Sequence, residues 1–542
     1  MAKGLLINYA GYSYTPSSLM PDNGLASLAG SLIKYGHEVK IIDYGRLDMI
    51  PHLMPSRYTK KLAHIYESST DSNMLMQALN FAKLKWISRS IEKNRDVVVS
   101  QLSDELSDLV RKEKADFVGF KLWNGDGFLG STAMSKKLRK DHPNLPLFAG
   151  GPHAYSFKEL IFDYMPIDAL CYDEGEDTIV QLAEVADKKR EIESVDSIFF
   201  RSNGNIKKNP LVKIINLNRL PMPVYDPEVY VGIEDKLHMY TIDESRGCIY
   251  SCPFCIQSSR EDNRYRAKSP ERTVDEMTKL MQERGIRSFS FGGQMSPSRL
   301  LEGISTQIIS RQLDVEFSSF APIKFMQDAD FELLHKAGLK AVFYGVESGS
   351  EYVLEKAFNK EMKNHEIKNV IRKTKDAGIK AIASLIYPTP FDDENTREMT
   401  VDLILNTRPD SVLTYFPGIY PDTTWQLNPQ EYGFTLTTDS YAKDTATYKI
   451  TNLFPPRFWK PLPYRVNGFS FKDIAMQTEG LVNEFTHNGI TQYLSGEHFM
   501  MAEALNIDPI TLSQQIRKQF YSGDYSSIKT LVEVTNKNVS GI

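Results

Sequence analysis

Short apolar runs alternate with longer amphipathic stretches along the first 205 residues. The runs at 5–9, 38–44, 116–122, 146–150, 168–172 and 197–201 have the length and composition of buried strands. Between them, 25–35 and 134–140 carry apolar residues at helical spacing. This βαβ rhythm predicts an α/β fold, a doubly wound, Rossmann-like parallel sheet over 1–205. Polar, helix-patterned sequence at 83–93 and 97–112 predicts a helical insertion spanning 50–114. Residues 206–237 hold Pro210, Pro221, Pro223 and Pro227 with little periodicity and are expected to form a linker. A second series begins at 238, with strands expected at 239–244, 288–291, 315–320, 341–346, 381–386 and 412–416. Helix-patterned segments at 274–284, 331–337, 367–377 and 395–406 lie between them. Six such units over 238–420 predict a partial (β/α)6 barrel rather than a full eightfold one. From 421 to 542 an irregular aromatic stretch gives way to amphipathic helices at 474–485 and 512–521, a mainly helical, substrate-facing cap.

Composition narrows the class. The 542 residues are 41% hydrophobic and 25% charged with a formal net charge of -5, which gives no electrostatic reason to expect nucleic acid or an anionic membrane as partner. No stretch approaches the roughly 20 apolar residues of a membrane span. The apolar run at 5–7 is too short for a signal-peptide core, so a cytoplasmic location is expected.

Cysteine use is the sharpest signal. Three of the four cysteines fall within eight residues, in Glu244-Ser-Arg-Gly-Cys248-Ile-Tyr-Ser-Cys252-Pro-Phe-Cys255. Crowding of this kind favours metal over a disulfide framework. Three thiolates at C-x3-C-x2-C can hold three irons of a [4Fe–4S] cube and leave the fourth open, whereas an electron-carrying ferredoxin supplies a fourth cysteine. The remaining cysteine, Cys171, sits in an apolar strand of the other domain and reads as a small packing residue. A structural zinc site with His238 as fourth ligand is the alternative, although no second knuckle is present. Position adds to the case, because a parallel βα barrel places its chemistry at the C-terminal ends of its strands. The cysteine loop follows the first barrel strand, Gly292-Gly293-Gln294 the second, Glu347-Ser348-Gly349 the fourth and Tyr387-Pro388 the fifth.

The cysteine spacing, with Phe254 just before the third cysteine, closely resembles the radical S-adenosylmethionine (SAM) superfamily. The resemblance implies that Cys248, Cys252 and Cys255 hold a [4Fe–4S] cluster whose open iron chelates SAM and cleaves it to a 5′-deoxyadenosyl radical. Gly292-Gly293-Gln294 is similar to the family's Gly-Gly-Glu element, with Gln in place of Glu. Gly345-Val-Glu347-Ser-Gly resembles an element of cobalamin-linked members that places a Glu near SAM. The segment 386–390 lacks the glycine that the family often has at the fifth strand, so Tyr387 is expected to face substrate. Tyr265-Arg266-Ala-Lys268 resembles a basic pair of this subfamily and reads equally well as a solvated turn.

In the N-terminal domain, Gly125-Asp-Gly127-Phe-Leu-Gly130 spells G-x-G-x-x-G, but it lies after the insertion, and no acidic residue ends the next strand. Three other segments, around Gly24, around Gly150-Gly151-Pro-His153, and at Glu174-Gly175-Glu176, resemble the cobalamin-binding domain fused ahead of radical SAM cores. Glycines at strand ends let backbone approach a flat macrocycle. The D-x-H-x-x-G histidine motif is absent, so the resemblance implies base-off cobalamin without a histidine ligand. Trp123 or Asn124 would then lie by its lower face, and His153 would hydrogen-bond corrin amides.

Together these imply a cobalamin-dependent radical SAM methyltransferase that methylates an unactivated carbon of a small-molecule or natural-product intermediate. The radical would abstract hydrogen, methylcobalamin would donate the methyl group, and a second SAM would re-methylate cobalt. An external electron donor such as flavodoxin or ferredoxin is implied. A cobalamin-dependent cyclase or rearrangement enzyme, a non-catalytic zinc or iron–sulfur scaffold, and a nicotinamide-binding protein are the competing readings. The aromatic stretch 415–460, with Tyr415, Tyr420, Trp425 and Trp459, hints at a substrate pocket and reads equally as core.

Overall fold

A computed structural model describes residues 1–68 and 74–540. The N-terminal sheet has eight strands: β1 (Lys3–Asn8), β2 (Glu38–Asp43), β3 (Phe117–Lys121), β4 (Leu147–Gly150), β5 (Ala169–Cys171), β6 (Ile198–Ser202), β7 (Asn205–Lys208) and β8 (Tyr230–Val231). Their order is β7-β6-β5-β4-β3-β1-β2-β8. The central set β2-β1-β3-β4-β5 is parallel, a doubly wound arrangement whose strand order reverses between β1 and β3. β1 and β3 read as near-continuous apolar runs because helices cover both faces. The helix Asn23–Lys34 follows β1; Asp22 caps it by accepting from the Leu25 N–H, and its buried face is Leu25, Ala26, Ala29 and Leu32.

Three expectations need correction here. The run at 197–201 does not extend the parallel set; β6 pairs antiparallel with β5 and forms a hairpin with β7 through Asn203 and Gly204, both with positive φ. The linker 206–237 is partly strand, since β7 uses its first residues and β8 pairs with β2 at the far edge. The two helices expected at 83–93 and 97–112 are one continuous helix, Met74–Glu113. That stretch contains neither glycine nor proline, so the polar Asn94-Arg95-Asp96 has nothing to break it.

The second domain is built on β9 (Met239–Ile242), β12 (Ser288–Phe291), β13 (Glu316–Phe320), β14 (Leu339–Glu347), β15 (Lys380–Ile386) and β16 (Ser411–Tyr415), with β10 (Ser245–Arg246) and β11 (Arg266–Ala267) as a separate antiparallel pair. The six strands form one parallel sheet in the order β16-β15-β14-β13-β12-β9, a partial barrel.

The 421–542 segment divides between two ends of this barrel. Trp425 lies against the cysteine loop, its N–H donating to the Pro253 carbonyl at 3.1 Å. The helix Gly496–Leu505 packs inside and below the sheet instead: Glu497 accepts from Ser290, and Lys340, at the start of β14, pairs with Glu503. Residues 536–540 continue along that N-terminal edge, with Asn536 accepting from the His238 N–H. The polar barrel interior at Ser288, Ser290 and Ser318 takes the helix Gly496–Leu505 as its floor, so this part of the segment expected as a cap lies below the sheet.

Candidate functional site

Beyond β9 the chain turns through buried Glu244 into β10, and the β10–β11 pairing closes an arch that presents residues 247–265 at the C-terminal rim. Gly247 starts the arch at φ +78, and a Cβ there would fall 2.2 Å from the Arg264 carbonyl. The Cys248 N–H donates to Asn263 O at 3.1 Å, and Asn263 Nδ2 returns a bond to Cys248 O. Ser258 Oγ donates to the carbonyls of Cys252 and Cys255 at 2.6 and 2.7 Å, so the loop is closed on itself. Cys248, Cys252 and Cys255 line one cavity of about 390 Å3 together with Phe254, Gln294, Glu347 and Lys360. Burial pushes the Cys252 thiol up to about 12. Such a thiol would become a metal ligand only by releasing its proton to solvent as the metal binds.

The walls of this cavity are held from below. Glu244 accepts from Ser296 Oγ at 2.6 Å, Gly293 N at 3.1 Å and Ser245 Oγ at 3.1 Å, and burial raises its pKa to about 7. A Cβ on Gly293 would lie 2.2 Å from that carboxylate, which accounts for the second glycine of the pair. Gln294 Oε1 accepts from the Gly247 N–H at 3.0 Å, tying the second strand's rim to the cysteine loop. Glu347 ends β14 at φ +67, beside a register shift against β15, and accepts from Lys360 Nζ at 2.7 Å and Ser384 Oγ at 3.2 Å. Phe254 stands between Phe358 and Trp425 at ring-centroid distances of 5.4 and 5.7 Å. Trp425 itself is fully buried with its indole N–H on the Ala357 carbonyl, so it is core rather than pocket lining.

Facing this rim, the strand ends of the N-terminal sheet enclose an apolar cavity of about 240 Å3 between Leu25, Leu28, Phe148 and Ile179. Gly24, Gly150, Gly151, Glu174, Gly175 and Glu176 all border it. The cavity opens at Gly24, Gly151 and Glu174 onto a polar interdomain chamber of about 310 Å3 that also reaches Arg246, Arg260, Arg266, Gly292 and Gln294. Gln294 thus belongs to both the chamber and the cysteine cavity. Buried polar atoms without protein partners, Arg260 Nε and Asn263 Oδ1, belong to residues lining the chamber.

An ion clasp joins the two domains across the chamber. Arg266 forks onto Glu174 at 2.9 and 2.6 Å, and Arg246 onto Glu176 at 3.2 and 2.5 Å while also holding Asp243. Lys213 and Arg260 both hold Asp173, at 2.6 and 2.8 Å. Arg266 and Lys268 are both buried, Lys268 on Glu276, which excludes the solvated-turn alternative for that pair. The sequence marked Glu174 and Glu176 as ligand contacts and missed that their partners are barrel arginines; only the distant pairing across the domains reveals it.

Several other residues fall elsewhere. Trp123 and His153 border neither cavity; the Trp123 N–H donates to Asn8 at 2.8 Å, and the rings of Trp123 and His153 are 6.1 Å apart. Asn124, next in the chain, is half-buried and also outside both linings. His153 Nδ1 is buried without a partner, and burial, then the charge of Lys121, pushes its pKa down to about 4. Tyr387 lines neither the cysteine cavity nor the interdomain chamber. It packs in the apolar core, and Thr478 of the helix Phe471–His487 donates to its carbonyl at 2.7 Å, because that helix covers the end of β15. Tyr415 is half exposed at the end of β16. His238 precedes β9 and accepts or donates at Ser540 Oγ, at the opposite end of the strand from the cysteines, so a Cys3His site with His238 cannot form in this fold. The G-x-G-x-x-G glycines serve packing: Cβ atoms at Gly127 and Gly130 would strike Tyr9, and Gly125 (φ +59) lies against the Tyr448 carbonyl.

The comparisons with known proteins agree with this geometry. Residues 244–404 match the radical SAM superfamily and residues 73–183 the B12 binding domain. An uncharacterized methyltransferase of Pyrococcus horikoshii is 25% identical over 62% of this chain and 76% of its own. The anaerobic magnesium-protoporphyrin IX monomethyl ester cyclase of Synechocystis is 24% identical over 52% of this chain and 57% of its own. The chain therefore spans three quarters of the first of these curated relatives and little more than half of the second. Among solved structures, the radical SAM methyltransferase TsrM of Kitasatospora setae, with cobalamin and a [4Fe-4S] cluster bound, superposes with a TM-score of 0.64 over 99% of both chains at 14% identity, a likeness of fold. The cysteine arch, the glycine-bordered strand ends facing it and both sequence matches lead to one assignment: residues 244–404 carry a radical SAM domain, and a B12 binding domain over 73–183 precedes it.

Proposed function

We propose that this protein is a cobalamin-dependent radical SAM methyltransferase that transfers a methyl group to an unactivated carbon of a small molecule. The observation that carries the reading is the continuity of the two sites: the cavity holding Cys248, Cys252 and Cys255 and the chamber at the B12-binding domain's strand ends share Gln294. The donor set fits the cofactors. Three thiols on one loop suit a cluster with one open iron, and an apolar, glycine-bordered cavity opening onto unpartnered polar groups suits a ligand with a flat apolar part and an amide rim. When bound, the cluster with SAM supplies a carbon-centred radical and cobalamin supplies the methyl group.

The chain's own residues do the rest. The thiolates of Cys248, Cys252 and Cys255 would hold the cluster, and Phe254, wedged between Phe358 and Trp425, keeps the third cysteine's backbone fixed. Gln294 and Glu347 offer oxygen acceptors inside the cavity for the polar groups of SAM. The Glu174–Arg266 and Glu176–Arg246 pairs tie the two domains together across the chamber that lies between the two sites. No histidine lines either N-terminal cavity among the described residues, which supports base-off binding without a histidine ligand. An external one-electron donor of the flavodoxin or ferredoxin kind would supply the electron that reduces the cluster.

Anaerobic protein made with cobalamin present tests this directly. About four irons and one cobalt per chain are expected by the stoichiometry of the two cofactors, with label from methyl-labelled SAM appearing in a product. Zinc without iron sinks the radical reading. The likeness to the Synechocystis cyclase favours a second reading, ring formation on the same scaffold, and that reading gains if 5′-deoxyadenosine forms while no product carries label.

A further inference from the structure

Lys360 is absent from every sequence motif considered above, yet it lines the cysteine cavity with its side chain only 15% exposed. Its ammonium donates to Glu347 Oε1 at 2.7 Å and to the Gly345 carbonyl at 2.9 Å. Both bonds anchor it to the end of β14, where Glu347 adopts a left-handed φ of +67 that a non-glycine residue takes only when its surroundings hold it there. The segment that carries Lys360 is in turn docked on the cysteine loop. Asn359 Nδ2 donates to Ser251 Oγ at 2.9 Å, Phe358 packs edge-on against Phe254, and the Ala357 carbonyl accepts from Trp425. Among the described residues the only other cation bordering the cavity is Lys324, which is exposed and paired with Glu361, an exposed residue of the same lining. A buried cation with one carboxylate partner, facing three thiolate ligands, has more negative charge around it than that carboxylate supplies.

From this placement we infer that Lys360 is the positioning residue of the cluster site: it fixes Glu347 at the strand end and places a positive charge beside the cluster, making the cluster easier to reduce. The inference rests on the cluster reading above. Reduction adds one negative charge to a group that already carries three thiolates, and a fixed cation in a partly dry cavity favours the reduced form. The role belongs to charge rather than shape, so arginine substitutes and methionine does not.

The test is an EPR-monitored redox titration of the reconstituted full-length protein without SAM, on wild type, Lys360→Arg and Lys360→Met, with iron and sulfide measured on each sample. The midpoint potential is expected to fall in Lys360→Met and to stay near wild type in Lys360→Arg. A fully loaded Lys360→Met protein with the wild-type potential overturns the proposal alone. Wild-type protein that binds no iron overturns the cluster reading and the proposal with it. If Lys360→Met does not load, Lys360→Gln, which keeps a polar tip for the Gly345 carbonyl, carries the same test, and a wild-type potential there is equally decisive against it.

Discussion

Gln294 Oε1 accepts a hydrogen bond from the Gly247 N–H at 3.0 Å, and this one contact joins the rim of the second barrel strand to the first residue of the cysteine arch. Because Gln294 also borders both the cysteine cavity and the interdomain chamber, its side chain sits where the two cavities meet. Gln294→Ala removes the acceptor and leaves the Gly247 N–H without its partner, at a cost of about 1–2 kcal/mol. SAM affinity, measured by equilibrium binding to the cluster-loaded protein, is expected to weaken about tenfold, which corresponds to about 1.4 kcal/mol. Gln294→Glu keeps a carbonyl-type acceptor and should bind SAM within a few-fold of wild type; equal loss in both variants would mean the hydrogen bond is not what matters.

The interdomain clasp predicts a stability effect that depends on which partner is removed. Arg266→Met leaves the Glu174 carboxylate in a nearly closed site, with only Lys213 and Arg246 at 3.7 and 3.8 Å to compensate. Loss of one member of a buried pair costs about 3–5 kcal/mol, whereas the double variant Glu174→Gln/Arg266→Met restores a neutral pair and should recover much of it. Urea unfolding of wild type, the single variants Arg266→Met and Glu174→Gln and the double variant checks the cycle. Cobalamin retention on a desalting column should fall in the single variant, because the chamber walls are these same residues.

The glycine-rich start of the helix Asp126–Asp141, after β3, gives a prediction that separates packing from nucleotide binding. A Cβ at Gly130 would sit 2.2 Å from the Tyr9 ring, so Gly130→Ala should destabilise the protein by about 1–3 kcal/mol through overpacking. Adding NAD or FAD should leave the unfolding midpoint of wild type unchanged. A nucleotide-dependent rise in that midpoint would return this segment to a binding role.

His153 predicts a pH dependence of the apoprotein. Its folded pKa, about 4, lies below the ordinary 6.5, so the folded state binds fewer protons than the unfolded state between those values. Stability contributed by the neutral imidazole is present above pH 6.5 and is lost as the pH falls toward 4, by up to about 3 kcal/mol over the full range. His153→Gln should lose less stability than wild type across that window. Parallel pH profiles for the two proteins would show that the imidazole is not held neutral by its surroundings.

Much of this architecture was legible in one dimension, and the reason is local. Strand runs, helical periodicity and the C-x3-C-x2-C loop are properties of neighbours along the chain. So the doubly wound domain, the six barrel strands and the cysteine arch could be written down from residues alone. Gly150, Gly151 and Gly175 were singled out by resemblance, and the fold places all three on the border of the apolar cavity at the strand ends.

What tertiary structure decided is every relationship between residues far apart in sequence. Glu174 and Arg266 are 92 residues apart, and nothing in either local pattern names the other. Tyr387 moved from expected pocket to core because Thr478, 91 positions on, brings a helix over it. Lys360 has no motif, and its meaning comes only from the fold bringing Asn359 onto Ser251, 108 residues earlier. Periodicity tells which face of an element is buried; it cannot tell what buries it, and charge pairing, cavity lining and the environment of a cation are all questions of what lies across the gap.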